Sequence, residues 1–165
     1  WSRHSWVDGT LALSSAEVHP LREWYCATHS GSNSGDMEQA AWRRYWRACL
    51  KAIVPWLEER RHRVLDTLDR QWKQVERAAG GHDKIQKKMG SSYIAVDRYG
   101  LEYGDVIFYS KSQSFNSIPI YGVESTALSI CSMAKNVRDD IAHLRAPNPQ
   151  EVIALITAMD SLLPN

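Results

Sequence analysis

The chain has little cysteine, almost no net charge and no long hydrophobic run, and each of these absences excludes a class of protein. The three cysteines among its 165 residues, Cys26, Cys49 and Cys131, are far apart and form no CxxC pair. This spacing argues against a disulfide framework and against a zinc site, and it fits a reducing cytosol best. A formal charge of +1 gives no overall attraction to nucleic acid or to membranes, so any such surface must come from local clusters of Lys and Arg.

No apolar run approaches the roughly 20 residues that a membrane helix needs, and no signal peptide opens the chain. The sequence also lacks an HExxH motif or a close carboxylate cluster, and its six histidines lack ligand spacing, so we predict no metal and no cofactor. The length and the hydrophobic content of 44% predict one domain over residues 1–165. The chain begins at Trp1 rather than Met, which fits a shortened chain or one module of a longer polypeptide.

Helical spacing dominates the first half of the sequence. We predict a first helix over residues 14–28, ended by the Gly/Ser-rich loop 29–35, after which Asp36 caps a long helical region. Pro55 requires a kink or a fresh start in that region, and Gly80-Gly81 should end it. The apolar positions predicted to lie on its buried face are Ala41, Trp42, Tyr45, Trp46, Ala48, Cys49, Ala52, Ile53, Val64, Leu65, Leu68, Trp72 and Val75.

Residues 92–122 have a different pattern. Three runs rich in β-branched and aromatic residues, at 93–96, 106–109 and 118–121, are separated by turn residues. This arrangement predicts a small hairpin or a three-stranded β-rich insertion. The fold class is therefore mainly α, a helical bundle with a β-rich insertion.

A helix returns after the insertion, with the most regular amphipathic stripe in the chain. Its apolar positions recur at steps of four, three, four and three, at Ile130, Ala134, Val137, Ile141 and Leu144. The segment Pro147-Asn148-Pro149 should stop this helix, and a last helix is predicted from Pro149 to Leu163. Cys131 lies near the stripe and is predicted to be a core residue.

The end of this helix carries the sequence Arg138-Asp139-Asp140-Ile141-Ala142-His143. It places a cation that can bind phosphate beside a group that can transfer protons near neutral pH. Two other arginines precede a histidine at comparable spacing: Arg77 precedes His82 across Gly80-Gly81, and Arg22 precedes His29 in a segment that runs into a Gly/Ser loop. Only the motif at 138–143 lies in a well-formed predicted helix.

The segment has an Arg, a polar residue, three further positions and a His, and it lies late in a helical domain with one more helix after it. This arrangement resembles the motif of the HEPN superfamily of ribonuclease and stress-response domains. The matching residues are Arg138, Asp139 and His143, and the resemblance covers about the final 40 residues. It implies a mostly helical fold that forms a homodimer, in which two copies of the motif face each other and cut RNA without a metal. Members that are paired with a nucleotidyltransferase often have Tyr two residues after the His, but Arg145 occupies that position here.

RNA cleavage by its own 2′-hydroxyl needs a base, an acid and positive charge on the developing phosphorane. Histidine and arginine can supply these, but positions five apart differ by about 140° around an ideal helix, so Arg138 and His143 do not share one face. We therefore expect a composite site in a two-fold dimer. Asp139, four residues before His143, is the residue that we expect to orient the imidazole, although Asp140 is close enough to do so.

Four further residues are candidates for RNA contact, namely Lys84, Lys87, Lys88 and Arg145. The basic stretches at 43–51 and 60–63 have a simpler interpretation as solvated helix faces, and Trp42, Trp46 and Trp72 as core residues. The leading hypothesis is thus a metal-independent endoribonuclease of the HEPN type in an intracellular defence or stress system, with a fused or separate sensor module as a candidate regulator. The alternative is a catalytically silent HEPN-like module for dimerisation or partner binding, with the motif charges exchanging salt bridges.

Overall fold

The computed structural model describes the backbone of residues 34–163 and the side chains of Gln39 and residues 41–163. This part of the chain is mainly helical with one two-stranded sheet. Its α-helices and strands, in chain order, are α1 (Ser34–Ala48), α2 (Val54–Asp66), α3 (Asp69–Ala79), β1 (Ile85–Met89), β2 (Ser92–Val96), α4 (Tyr103–Tyr109), α5 (Gly122–Ala142) and α6 (Pro149–Leu162). Within the described residues, no helix combines the length and the apolar character that crossing a membrane requires. The predicted helix at 14–28 lies outside the described residues.

The long helical region after residue 34 is divided at two places. A π-helical turn, Cys49–Ile53, joins α1 to α2, just before Pro55, which has no N–H to donate to the carbonyl four residues earlier. A turn at Thr67-Leu68 then separates α2 from α3. Gly80 ends α3 in the left-handed conformation (φ 86°), as predicted. Asp36 does not cap α1, because the helix already begins at Ser34.

The buried face predicted for α1 is confirmed only in part, because Tyr45 and Trp46 are half-buried against the core while the other predicted positions of the helix are exposed. The side chains of Ala41, Ala48 and Ala52 are exposed, and Trp42 keeps 43% of its surface exposed. The first fully buried side chain of this helical region among the described residues is Cys49. Further along, the predicted stripe is confirmed: Val64, Leu65, Leu68, Trp72 and Val75 are all buried.

The small sheet is an antiparallel hairpin that starts before the predicted insertion. Ile85 pairs with Val96 and Met89 pairs with Ser92, and Gly90 in the intervening turn has a φ of 62°, a conformation that suits glycine. The hairpin is attached through the buried side chain of Ile85 and a hydrogen bond of 2.6 Å from the Tyr109 hydroxyl to the carbonyl oxygen of Gln86.

The second predicted β run, residues 106–109, is helical. It belongs to α4, whose first turn is closed by a reciprocal capping box between Glu102 and Asp105. Tyr103 and Val106 are buried at a helical spacing of three, and the hydroxyl of Tyr103 donates to the carbonyl oxygen of Leu57 at 2.8 Å. Tertiary packing and the capping box thus override the β propensity of this run. The third run, residues 118–121, forms no strand.

Helix α5 supplies the centre of the core. The predicted positions Ile130, Ala134, Val137 and Ile141 are buried, as is Cys131. The exception is Leu144, which lies beyond the helix end and is 77% exposed. Helix α6 begins at Pro149 as predicted, with the side chain of Asn148 accepting a hydrogen bond of 2.9 Å from the backbone N–H of Gln150.

Candidate functional site

The candidate site lies around the last two turns of α5, near which there are two concave surfaces. The first is a cavity of about 330 Å³ between this helix, strand β1 and the start of α4. Its charged lining residues are Lys87, Lys88, Glu102, Asp105, Lys135, Arg138 and Asp139. The structure therefore brings two of the predicted RNA-binding lysines together with two of the three predicted catalytic residues. Lys84 and His143 are not among the lining residues.

Arg138 is held in this cavity by two carboxylates. Its Nη1 atom lies 3.1 Å from Oε2 of Glu102, and its Nη2 atom lies 3.5 Å from Oε1 of Glu58 on α2. Glu58 in turn accepts a hydrogen bond of 3.0 Å from Nε of Arg61. These contacts fix the direction of the guanidinium, and they also balance its charge, so a bound phosphate would have to compete with both carboxylates.

Glu102 links the predicted cation on α5 to the hairpin. Its Oε1 atom lies 3.1 Å from Nζ of Lys87, which also donates to the carbonyl oxygen of Gly100 at 2.9 Å. Burial acts to raise the pKa of Glu102, but the hydrogen bond from Lys87 and the positive charge of Arg138 outweigh it, so this pKa lies below its ordinary value. Glu102 is therefore the carboxylate that contacts both Arg138 and Lys87 in the cavity.

The carboxylate of Asp139 does not orient His143, contrary to the prediction. Its Oδ2 atom lies 2.6 Å from Nζ of Lys135, one turn earlier on α5. Lys and Asp at positions i and i+4 are neighbours on a helix surface, so the sequence contained a signal for this pair. Asp140 was the other candidate, but its Oδ1 atom is engaged by Arg145, at 2.9 Å from Nε and 2.8 Å from Nη2.

His143 is positioned by the turn that ends α5. The backbone N–H of Leu144 donates to the carbonyl of Ile141 at 3.1 Å, and that of Arg145 donates to the carbonyl of Asp140 at 2.8 Å. This pair of bonds is the Schellman arrangement, in which the first residue after the helix cap is left-handed. Leu144 takes that conformation with φ of 58°, the one positive φ outside glycine among the described residues. Glycine fills the corresponding place after α3.

The main chain fixes the imidazole of His143. Its Nδ1 atom lies 2.7 Å from the carbonyl oxygen of Asp139, and because a carbonyl can only accept, Nδ1 carries the hydrogen in this bond. In the neutral ring the lone pair is then on Nε2, and the side chain is exposed. An exposed, oriented imidazole with a free Nε2 can accept a proton from a bound substrate.

The second concave surface is a groove at the end of α5 that shares no lining residue with the cavity. It has a volume of about 530 Å³ and lies between α1 and the residues that follow α5. Its lining residues are Gln39, Trp42, Arg43, Trp46, Arg47, Leu144 and Ala146, so it is mainly apolar with two arginines. Leu144 directly follows His143 in the chain, so the groove lies at the helix end that carries His143, although His143 itself is not a lining residue.

Several site residues were missed by sequence reasoning. The contacts of Arg138 with Glu58 and Glu102 join residues 80 and 36 positions away, and no local pattern indicates them. The exposure of Trp42 was missed because a helical stripe shows which residues share a face but not where the core ends. The hairpin could have been predicted from the Gly90-Ser91 turn, which lies between residues 85–89 and 92–96.

Within residues 34–163, no group of three or more His, Cys, Asp or Glu side chains is arranged to hold a metal ion. Comparison of the chain with protein-family models, curated proteins and solved structures found no match. We therefore argue the function from the chain's own residues.

Proposed function

We propose that this chain is a metal-independent endoribonuclease that acts on RNA in an intracellular defence or stress system in the cytoplasm. The observation that carries the proposal is the state of His143: its Nδ1 is bonded to the Asp139 carbonyl oxygen at 2.7 Å, which leaves Nε2 as the basic atom of an exposed ring. A strained left-handed residue, Leu144, directly follows it, and such strain is concentrated at functional sites.

In the proposed reaction, Nε2 of His143 takes the proton from a ribose 2′-hydroxyl. The 2′-oxygen then bonds to phosphorus, the bond from phosphorus to the 5′-oxygen breaks, and an imidazolium gives that oxygen a proton. The products are a 2′,3′-cyclic phosphate and a 5′-hydroxyl. Arg138, with Lys87 and Lys88 in the same cavity, supplies positive charge for the phosphorane. A two-fold homodimer would provide two imidazoles, one as base and one as acid.

The test is cleavage of a labelled single-stranded RNA panel in excess EDTA. Wild-type protein is expected to cut and His143→Ala to lose activity by about 100-fold or more, the scale of general acid–base catalysis. The matched control is His82→Ala, because His82 is also exposed, follows an arginine by five residues and lies just after a helix end. Sedimentation of each protein reports the dimer, and end-group analysis reports the cyclic phosphate. Equal activity in wild type and His143→Ala would contradict the proposal.

One observation favours the alternative of a catalytically silent module. The motif's other charges all have partners in the fold, since Arg138 is paired with Glu102, Asp139 with Lys135 and Asp140 with Arg145. In that case the motif holds the end of α5 in shape for dimerisation or partner binding. A wild-type dimer that cuts no RNA in the panel would favour this alternative.

A further inference from the structure

One wall of the groove is joined by a hydrogen bond to the last turn of α5. The indole Nε1 of Trp46, on α1, donates to the carbonyl oxygen of Ile141, in the last turn of α5, at 3.0 Å. This bond joins one side of the groove to the helix end that carries His143. The opposite side is formed by Leu144 and Ala146, which alternate with His143 and Arg145 along the chain. A ligand in the groove would therefore lie beside the end of α5 that carries His143.

The groove also presents an exposed aromatic surface. Trp42 is 43% exposed, and its ring meets the ring of Tyr45 edge to face with centroids 5.9 Å apart. The exposed side chain of Leu144 adds further apolar surface. A planar group such as a nucleobase can stack its face on this surface.

The charged residues that line the groove differ from those that line the cavity at Arg138. Its described lining residues include Arg43 and Arg47 and no carboxylate, whereas three carboxylates line the cavity with Arg138. Within the described part of the chain neither arginine forms an ion pair, and Arg43 donates to the amide oxygen of Gln39 at 3.4 Å. Neither cation would therefore have to leave a carboxylate of the described residues in order to bind phosphate.

We propose that this groove binds an unpaired nucleotide of single-stranded RNA next to the bond that is cut. The base stacks against Trp42, and Arg43 and Arg47 contact the adjoining phosphates. This combination of aromatic surface and cations is how single strands are bound without strong sequence preference. The inference rests on the proposed function for the position of the cut, but the binding itself can be measured separately.

The test is the fluorescence anisotropy of a labelled, unstructured oligouridylate with the full chain carrying His143→Ala, which prevents cleavage. In that background, Trp42→Leu should weaken binding by about 5-fold to 100-fold, the range measured for a single stacked base. Trp42→Phe keeps a ring and should retain most of the affinity. The matched control is Tyr121→Leu, since Tyr121 is 68% exposed and lies at the opposite end of α5. Equal weakening by the variants at Trp42 and Tyr121, or none by either, would overturn the inference.

Two further measurements test the inference without Trp42→Leu, in case that variant fails to fold. Arg47→Gln changes an exposed side chain, and it should lower the slope of log affinity against log salt by about 1, the effect of losing one phosphate contact. An abasic site in the oligonucleotide removes a base that can stack, so it should weaken binding to the protein that keeps Trp42. An unchanged salt slope together with no penalty for the abasic site would refute nucleotide binding in the groove.

The outcomes separate this inference from the proposed function. Binding that depends on Trp42 and Arg47, in a protein whose wild type cuts no RNA, supports the groove and contradicts the nuclease. Cleavage that depends on His143, with binding and cut position unaffected by Trp42→Leu, supports the nuclease and overturns the groove. An acidic, leucine-rich peptide that binds the groove more tightly than the oligonucleotide would also overturn the inference, because it would make the groove a protein-binding surface.

Discussion

The Nδ1 atom of His143 lies 2.7 Å from the main-chain carbonyl oxygen of Asp139. The histidine of the motif is thus oriented by the backbone of the residue that precedes it by one turn, while that residue's carboxylate is paired with Lys135. The two roles of Asp139 are therefore separable by mutation.

Asp139→Asn should leave RNA cleavage close to that of the wild type, because the carbonyl that orients His143 remains. The change removes one ion pair between positions i and i+4, which is worth about 0.3–0.5 kcal/mol of folding stability. The measurement is the cleavage rate in EDTA together with the midpoint of urea unfolding. A loss of activity of about 100-fold or more would show that the carboxylate takes part in proton transfer.

Leu144→Gly should stabilise the protein by up to about 1 kcal/mol. A side chain in the left-handed region costs about 1–2 kcal/mol, and the greater freedom of glycine in the unfolded chain offsets part of that gain. Leu144→Ala keeps the strain and should show no such gain. Gly80 has the same backbone role after α3. A Cβ added there would meet no atom within 4 Å, but a side chain at this positive φ is strained, so Gly80→Ala should destabilise the protein. The free energies of unfolding in urea test all three, and a loss of stability in Leu144→Gly would be the contrary result.

Glu102→Gln should make the free energy of unfolding depend less on pH in the acidic range. The pKa of Glu102 is lower in the fold than its ordinary value of 4.5, so its ion pairs stabilise the fold above that value and are lost as pH falls through the lowered pKa. The stability difference between wild type and Glu102→Gln should therefore shrink between about pH 6 and pH 3, a range that spans the ordinary value of a carboxylate.

The control for this prediction is Glu151→Gln, because Glu151 is exposed and forms no ion pair with the described residues. The difference in the free energy of unfolding between wild type and Glu151→Gln should change less over the same pH range. If Glu102→Gln and Glu151→Gln behave alike in urea unfolding, the carboxylate of Glu102 does not hold Arg138 and Lys87 together in solution.

Gln71→Met should stabilise the protein by about 1–2 kcal/mol. The side chain of Gln71 is completely buried, and neither its amide oxygen nor its amide nitrogen has a hydrogen-bond partner among the described residues. A buried polar group without a partner costs about 1–3 kcal/mol, and methionine has a similar shape without the amide. Thermal and urea unfolding measure the effect. A destabilised Gln71→Met would indicate that the amide is hydrogen-bonded in solution, for example to a buried water.

The sequence by itself determined the helices whose signals are local. The stripe from Ile130 to Ile141 predicted the buried face of α5, Pro149 predicted the start of α6, and Gly80 predicted the end of α3, because periodicity, proline and glycine act within a few residues. The capping box of Glu102 and Asp105 is equally local, but the β propensity of residues 106–109 is the stronger signal in the sequence, so α4 was predicted wrongly.

The tertiary structure alone decided what surrounds the motif. The partners of Arg138 come from α2 and from the residue before α4, and the exposure of Trp42 depends on where the core meets α1. Contacts between residues far apart in sequence arise from how helices pack, which no single helix encodes. The place of His143 after α5 follows from the chain, but the partner of its ring, the carbonyl oxygen rather than the carboxylate of Asp139, is visible only in the folded structure.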